Sequence, residues 1–277
     1  MGFTEVDISL ELVDPYAEII VAQLDQIEYD SFDVHESGLK AYILTNLFDK
    51  KKLNDIISEI SISTQVSFKI SRIKKVNWNK EWESNYSPVL INENCIIRAQ
   101  FHTQTANVKH EIIITPKMSF GTGHHETTFL VMNQIFELDC KGKCVLDVGS
   151  GTGVLGILAS KLGAKKIIGI DSDIWSYKNS IENARLNNIS NIKFINGNAD
   201  AIGDAKYDIV LANINRNIIL NDIEKYVHAM KPSSEIILSG FLKEDKKIII
   251  NKIEQLNFNL VDSKNKNKWQ MLHLKKG

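Results

Sequence analysis

The stretch from Lys143 to Asp171 constrains this chain more than any other, because few folds accept its pattern. It opens on an apolar run, Cys144 to Val148, short and β-branched enough to be a buried parallel strand. Gly149, Gly151 and Gly153 follow at alternate positions, where the backbone must turn sharply and pass close to something. Val154 to Leu162 repeats apolar residues at helical spacing, and Gly163 is a stop signal. A second apolar strand, Ile167 to Ile170, ends on Asp171. Strand, glycine turn, helix, strand and acid make the layout of a nucleotide-binding crossover unit, so the expected fold class is α/β.

The details select the ligand. A dinucleotide site usually spaces its glycines G-x-G-x-x-G and seats a pyrophosphate on the helix N-terminus. Here the spacing is G-x-G-x-G, and Asp147 stands two residues before the first glycine. That variant resembles the S-adenosylmethionine-dependent methyltransferases, whose cofactor has no phosphate and ends in a zwitterionic methionine. The resemblance implies a class I, Rossmann-like domain in which Asp171 accepts hydrogen bonds from both ribose hydroxyls. A glycine trio alone would fit any tight strand-to-helix turn. The flanking strands and the terminal acid favour a cofactor.

A chain of 277 residues has room for about two domains. Its 33 Lys and Arg balance 34 Asp and Glu, which gives no whole-protein pull on nucleic acid. No apolar run reaches the ~18 residues of a membrane span, and the N-terminus lacks a signal-peptide layout, so a cytoplasmic location is expected. Cys95, Cys140 and Cys144 lie in or beside apolar strands. Cys140 and Cys144 look like half a zinc site, yet no second pair at ligand spacing follows, and packing roles are expected.

The first third has its own rhythm. Thr4 to Val13 alternates apolar and polar residues, Tyr16 to Ile27 shows helical spacing, and Tyr29 to His35 with Leu39 to Leu44 flank the hairpin signal Glu36-Ser37-Gly38. Lys50 to Ile60 reads as a second helix and Gln65 to Ile73 as another alternating strand. This β-α-β-β-α-β order predicts a small α+β ferredoxin-like domain over residues 1–75. It carries no catalytic constellation, and its expected role is substrate recognition. Residues 76–117 read as a linker helix, with Trp78 and Trp82 on one face, followed by connecting strands. Residues 118–277 are expected to form the methyltransferase domain.

That domain opens on Met118-Ser119-Phe120-Gly121-Thr122-Gly123-His124-His125-Glu126-Thr127-Thr128, a loop running into an amphipathic helix. Its histidines invite a metal reading, but neighbours in sequence project in different directions and H-E-x-x-H spacing is absent, so no metal is expected. The loop can fold back over the methionine end of the ligand, with Thr128 offering a hydroxyl or amide near a helix start. Farther on, Asn196 to Asp200 is the loop where an adenine edge would lie, and Tyr207 to Ala212 is a strand ending in Asn213. Ligands of such sheets sit at the carboxyl ends of the strands, so Asn213 is placed in the same crevice as Gly149 and Asp171. Its amide can accept a hydrogen bond from an incoming amine while staying neutral. It can equally cap the next helix.

Phe-Gly-Thr-Gly-His-x-x-Thr-Thr, Val-Leu-Asp-Val-Gly-Ser-Gly-Thr-Gly and Ala-Asn-Ile at the fourth strand together resemble the PrmA family, which methylates the large-subunit ribosomal protein L11. The resemblance implies S-adenosylmethionine as cofactor and places Thr128, Gly149, Asp171 and Asn213 at cofactor-binding positions. Phe120, Gly151, Gly153 and Asp200 complete the candidate cofactor set, and Asn213 is also the candidate catalytic residue. The expected partner is L11, held by the N-terminal domain, with no membrane, no direct nucleic-acid contact and a monomeric state. Two rivals stand beside it. An amino-methyltransferase of nucleic acid would carry Asn-Pro-Pro-Tyr where Ala-Asn-Ile stands, its aromatic stacking on a flipped base. A non-catalytic module would bind the cofactor without transfer.

Overall fold

The structure, a computed structural model, describes residues 2–73, 86–103 and 108–277. The expected helix carrying Trp78 and Trp82 lies outside those residues. The chain divides into two compact units, residues 1–85 and 86–277.

The first unit is a four-stranded antiparallel sheet of β1 (Phe3–Leu10), β2 (Ser31–His35), β3 (Gly38–Leu44) and β4 (Val66–Ile73), in the order β2-β3-β1-β4. Two helices, α1 (Tyr16–Asp25) and α2 (Lys50–Ile60), accompany it, and Asp49 caps α2 by accepting from the Lys51 and Lys52 amides. The period of two decides which face is covered. Val6, Ile8 and Leu10 of β1 and Leu39, Ala41 and Ile43 of β3 are buried with Ile20, Leu24 and Leu53 from the helices. Glu5, Asp7, Lys40 and Tyr42 alternate with them onto the other face, where Glu5 stands opposite Tyr42 and Asp7 opposite Lys40. This is the ferredoxin-like arrangement that the element order predicts.

The second unit begins with β5 (Val89–Asn92), β6 (Cys95–Ala99) and β7 (His110–Ile114), a three-stranded sheet in which β6 and β7 are parallel. The sequence suggests strands leading into the next motif. They instead close on themselves and bury Ile97, Ile112 and Ile114 in the same core as helix α3 (Glu126–Phe136).

The central sheet has seven strands: β8 (Cys144–Val148), β9 (Lys166–Asp171), β10 (Ile192–Asn196), β11 (Tyr207–Asn213), β12 (Met230–Leu242), β13 (Phe258–Lys266) and β14 (Trp269–Lys276). Their order is β10-β9-β8-β11-β12-β14-β13, parallel throughout except that β14 runs antiparallel to both neighbours. This sheet, with helices on both faces, is the Rossmann-like class I methyltransferase architecture. α3, α4 (Val154–Lys161) and α5 (Ile174–Leu186) cover one face; α6 (Arg216–His228) and α7 (Lys246–Glu254) cover the other. Val145 and Leu146 show why β8 reads as a continuous apolar run: adjacent residues enter opposite cores, and both are fully buried. Each such side chain is worth about 1.5–3 kcal/mol. In the hairpin of β13 and β14, Asn267, at φ 53°, makes the turn. Among the described residues no helix is long and apolar enough to cross a membrane.

Candidate functional site

The chain leaves β8 toward β9 on one side and reaches β11 on the other, so the carboxyl ends of β8 and β11 part at the switch point of the sheet. A crevice of about 390 Å³ opens there, lined by Phe120, His125, Thr127, Gly149, Gly151, Asp171, Ser172, Asn213, Ile214 and Trp269 among others. A second cavity of about 270 Å³ shares Gly149 and Asp171 with it and reaches Ile170, Asn198, Ala199, Ile218 and Tyr226.

The glycine turn is fastened from within. Gly149 has φ 69° and Gly151 φ 54°, a region costly to other residues. A Cβ on Gly151 would stand 2.3 Å from the Phe120 carbonyl oxygen, and one on Gly149 would stand 2.1 Å from Ile214 Cγ2. The amides of Gly149 and Ser150 donate to the Ile170 carbonyl, Thr152 N–H donates to Phe120 O, and Gly153 N–H donates to Ser150 O. Gly151 N–H donates to Asp171 Oδ2 at 2.7 Å. The other Asp171 oxygen accepts from Asp173 N–H at 3.0 Å. The carboxylate is thus oriented by two backbone donors, and each oxygen keeps lone pairs for a diol.

Asp147, fully buried behind the turn, accepts from Gly156 N–H at 3.1 Å through Oδ2. Its Oδ1 has no partner among the described residues, and burial, with Asp171 adding to it, pushes the carboxyl up to about 7.

Asn213 is 8 % exposed at the end of β11. Its Nδ2 donates to Thr128 Oγ1 at 3.4 Å, and its Oδ1 has no partner among the described residues. An acceptor left unpaired in a buried place costs about 1–3 kcal/mol unless a ligand or water completes it. The capping role belongs to its neighbour: Asn215 accepts from Asn217 N–H and caps α6.

His125 caps α3, its Nδ1 accepting from Thr127 N–H at 3.3 Å. The same Nδ1 lies 2.8 Å from Thr127 Oγ1. The ring meets Phe120 and Trp269 edge-to-face, with centroids 5.1 and 4.7 Å away. The three form an aromatic wall of the crevice.

Of the candidate residues, Phe120, Gly149, Gly151, Asp171 and Asn213 line this crevice together. Thr128 is fully buried one step behind, as the partner of Asn213. Gly153 does not line it: at φ 79° it caps α4, and its α-carbon faces Phe194 and Ser180. Asp200 lines neither cavity. Its carboxylate turns outward to Lys225 Nζ at 2.6 Å, which holds it below the usual carboxylate range, and Asn198 and Ala199 line the cavity instead. The reason is local: Asn198 Oδ1 accepts from Asp200 N–H and starts a 3₁₀ turn that carries Asp200 to the outer surface. His125, Thr127, Ile214 and Trp269 also line the crevice outside the candidate set. Thr127 and His125 stand inside the motif already singled out. Trp269, on the last strand, carries no local signal.

Comparison with known proteins agrees with this geometry. Residues 10–277 match the model of a family described as ribosomal protein L11 methyltransferase (PrmA). A ribosomal protein L11 methyltransferase of Phocaeicola vulgatus is 41% identical over 255 residues, 91% of each chain. Its counterpart in Chlorobaculum parvum is 31% identical over 274 residues, 95% of this chain and 94% of its own. Among solved structures, a ribosomal protein L11 methylase from Lactobacillus delbrueckii subsp. bulgaricus is similar with a TM-score of 0.65 and 28% identity, covering 69% of this chain and all of that one (100%).

Proposed function

This chain belongs to the PrmA family of ribosomal protein L11 methyltransferases, and from that premise we propose that it methylates amino groups of L11, on lysine side chains and the N-terminal α-amine. S-adenosylmethionine is the methyl donor; when bound it supplies a sulfonium methyl carbon open to in-line displacement.

One observation supports that donor over a dinucleotide. Every amide from Gly149 to Gly153 already has an acceptor inside the protein. A pyrophosphate would find no free donors on that turn, and among the described residues no lysine or arginine lines either cavity. A nucleoside without phosphate asks for what remains: the Asp171 carboxylate for its ribose hydroxyls and close backbone approach at Gly149 and Gly151. These residues fit S-adenosylmethionine, with the apolar Ile170, Ala199 and Ile218 on the side of the base.

Toward the acceptor, Asn213 Oδ1 takes an amine N–H and aims the nitrogen lone pair, which is orientation catalysis. His125 Nδ1 is turned to the Thr127 N–H and hydroxyl, at 3.3 and 2.8 Å, and not to the amine. The amine therefore loses its proton to solvent. At pH 7 that costs about 4.6 kcal/mol for a lysine of pKa near 10.4 and about 1.1 for an α-amine near 7.8. The α-amine is the easier target, and lysine methylation rises more steeply with pH.

We assign substrate recognition to the first unit, whose second sheet face offers Glu5, Asp7, Lys40 and Tyr42. The test is transfer of labelled methyl from S-adenosylmethionine to purified L11, run beside ribosomal RNA. Label in L11 alone is the expected result. Label in RNA alone would replace the reading with a nucleic-acid methyltransferase, and binding without transfer would leave a sensor.

A further inference from the structure

Helix α5 and its C-cap residue carry three asparagines spaced by four, Asn179, Asn183 and Asn187, at 1 %, 0 % and 8 % exposure. Their amides lie against β7, the edge strand of the three-stranded sheet, whose outer side has no neighbouring strand among the described residues. Ile113 and Thr115 are two apart, so their backbone groups point to the same side. Asn187 accepts from Ile113 N–H at 2.9 Å and donates to Ile113 O. Asn183 accepts from Thr115 N–H at 2.8 Å, and Asn179 donates to Thr115 O at 3.2 Å. A carboxamide, like a peptide group, both donates and accepts, so this ladder takes the place of a missing strand.

Asn183 does one thing its neighbours do not. Its Nδ2 donates to Thr152 O at 2.9 Å, inside the glycine turn. Thr152 is itself fully buried, with N–H on Phe120 O at 2.8 Å and Oγ1 on Gly121 O at 2.6 Å. One buried amide thus joins the strand that leads into the Met118–Gly123 loop to the turn against which that loop is held. It does so from a helix whose first turn follows directly on Asp171 and Asp173.

We propose that Asn183 is a positioning residue of the cofactor crevice, setting the glycine turn and the Phe120 loop in register with the Asp171 corner. The inference rests on the S-adenosylmethionine reading for its functional consequence alone. Asn183→Asp keeps the size and the acceptor for Thr115 but turns the Thr152 contact into carboxylate against carbonyl. Asn187→Asp makes the same kind of damage at Ile113 without touching the turn, and serves as the control.

In the free protein, hydrogen exchange should quicken at Gly151 and Thr152 in Asn183→Asp and stay at the parental rate in Asn187→Asp. Calorimetry with S-adenosylmethionine should show Kd raised at least tenfold in the first variant and within twofold of the parent in the second. Asn183→Ser, uncharged and too short to reach Thr152, should follow Asn183→Asp, and it stands in should the aspartate fail to fold. Equal exchange and equal Kd in the Asn183 and Asn187 variants would overturn the proposal and leave the ladder as packing. A parent that does not bind S-adenosylmethionine would instead sink the cofactor reading, while the exchange result would still judge Asn183.

Discussion

Strands β8 and β1 solve the same burial problem in opposite ways. β8 sends adjacent residues into two cores, so the polar chemistry near it collects where the strands end, at Gly149, Asp171 and Asn213. β1 covers one face and spreads Glu5, Asp7 and Ser9 along the other. A sheet buried on both faces concentrates function at a point, whereas a sheet with one bare face offers an area. Methyl transfer needs the first, and recognition of a folded protein is served by the second.

The sharpest way to break this contrast is at the point. Asp171→Ala removes the carboxylate that the crevice holds ready, and two hydrogen bonds to a charged group are worth about 3 kcal/mol or more together. Affinity for S-adenosylmethionine should fall at least about a hundredfold by calorimetry; near-parental affinity would mean that the ribose lies elsewhere. Asn213→Ala should lower kcat on L11 about a hundredfold, the scale of a misplaced nucleophile, with Kd for the cofactor little changed. A loss of cofactor binding equal to the loss of rate would make Asn213 a binding residue and nothing more.

On the area, effects should be smaller and of another kind. Asp33→Ala combined with Tyr42→Ala alters two side chains of the second face, and KM for L11 should rise several-fold while the cofactor Kd stays fixed. An unchanged KM would remove recognition from that face.

A separate effect falls on stability. Asp147 sits at about 7 when folded against an ordinary 3.8. An acid with a raised folded pKa favours the folded state while protonated, so that contribution is whole below about pH 4 and fades as pH rises to about 7. Thermal melts of Asp147→Asn and the parent should lie closest near pH 4, with the variant gaining on the parent up to pH 7. A constant offset across that range would show that the carboxyl titrates normally.

Much of the point was legible in the sequence because local rules govern it. Alternate glycines demand a left-handed turn, Asp171 ends its strand, and Asn213 ends its own. The ferredoxin-like unit was legible because period-two alternation marks its faces. Trp269 was not, since a residue on the final strand joins the crevice through sheet order, which no local pattern encodes. The place of Asp200 was hidden for a related reason. An acid looked suited to the base, yet the Asn198 cap rotates the turn and a lysine from α6 takes the carboxylate. The asparagine ladder on α5 was likewise hidden, because its spacing of four reads as a polar helix face until β7 is seen beside it.

The crevice should take a phosphate-free nucleoside, because its glycine turn has no amide left to give. Titrating the protein with S-adenosylmethionine and, separately, with NAD in one calorimeter tests it directly. Saturable one-to-one heat from the first and none from the second is the predicted result. Binding of NAD at comparable affinity, or of neither ligand, would contradict it.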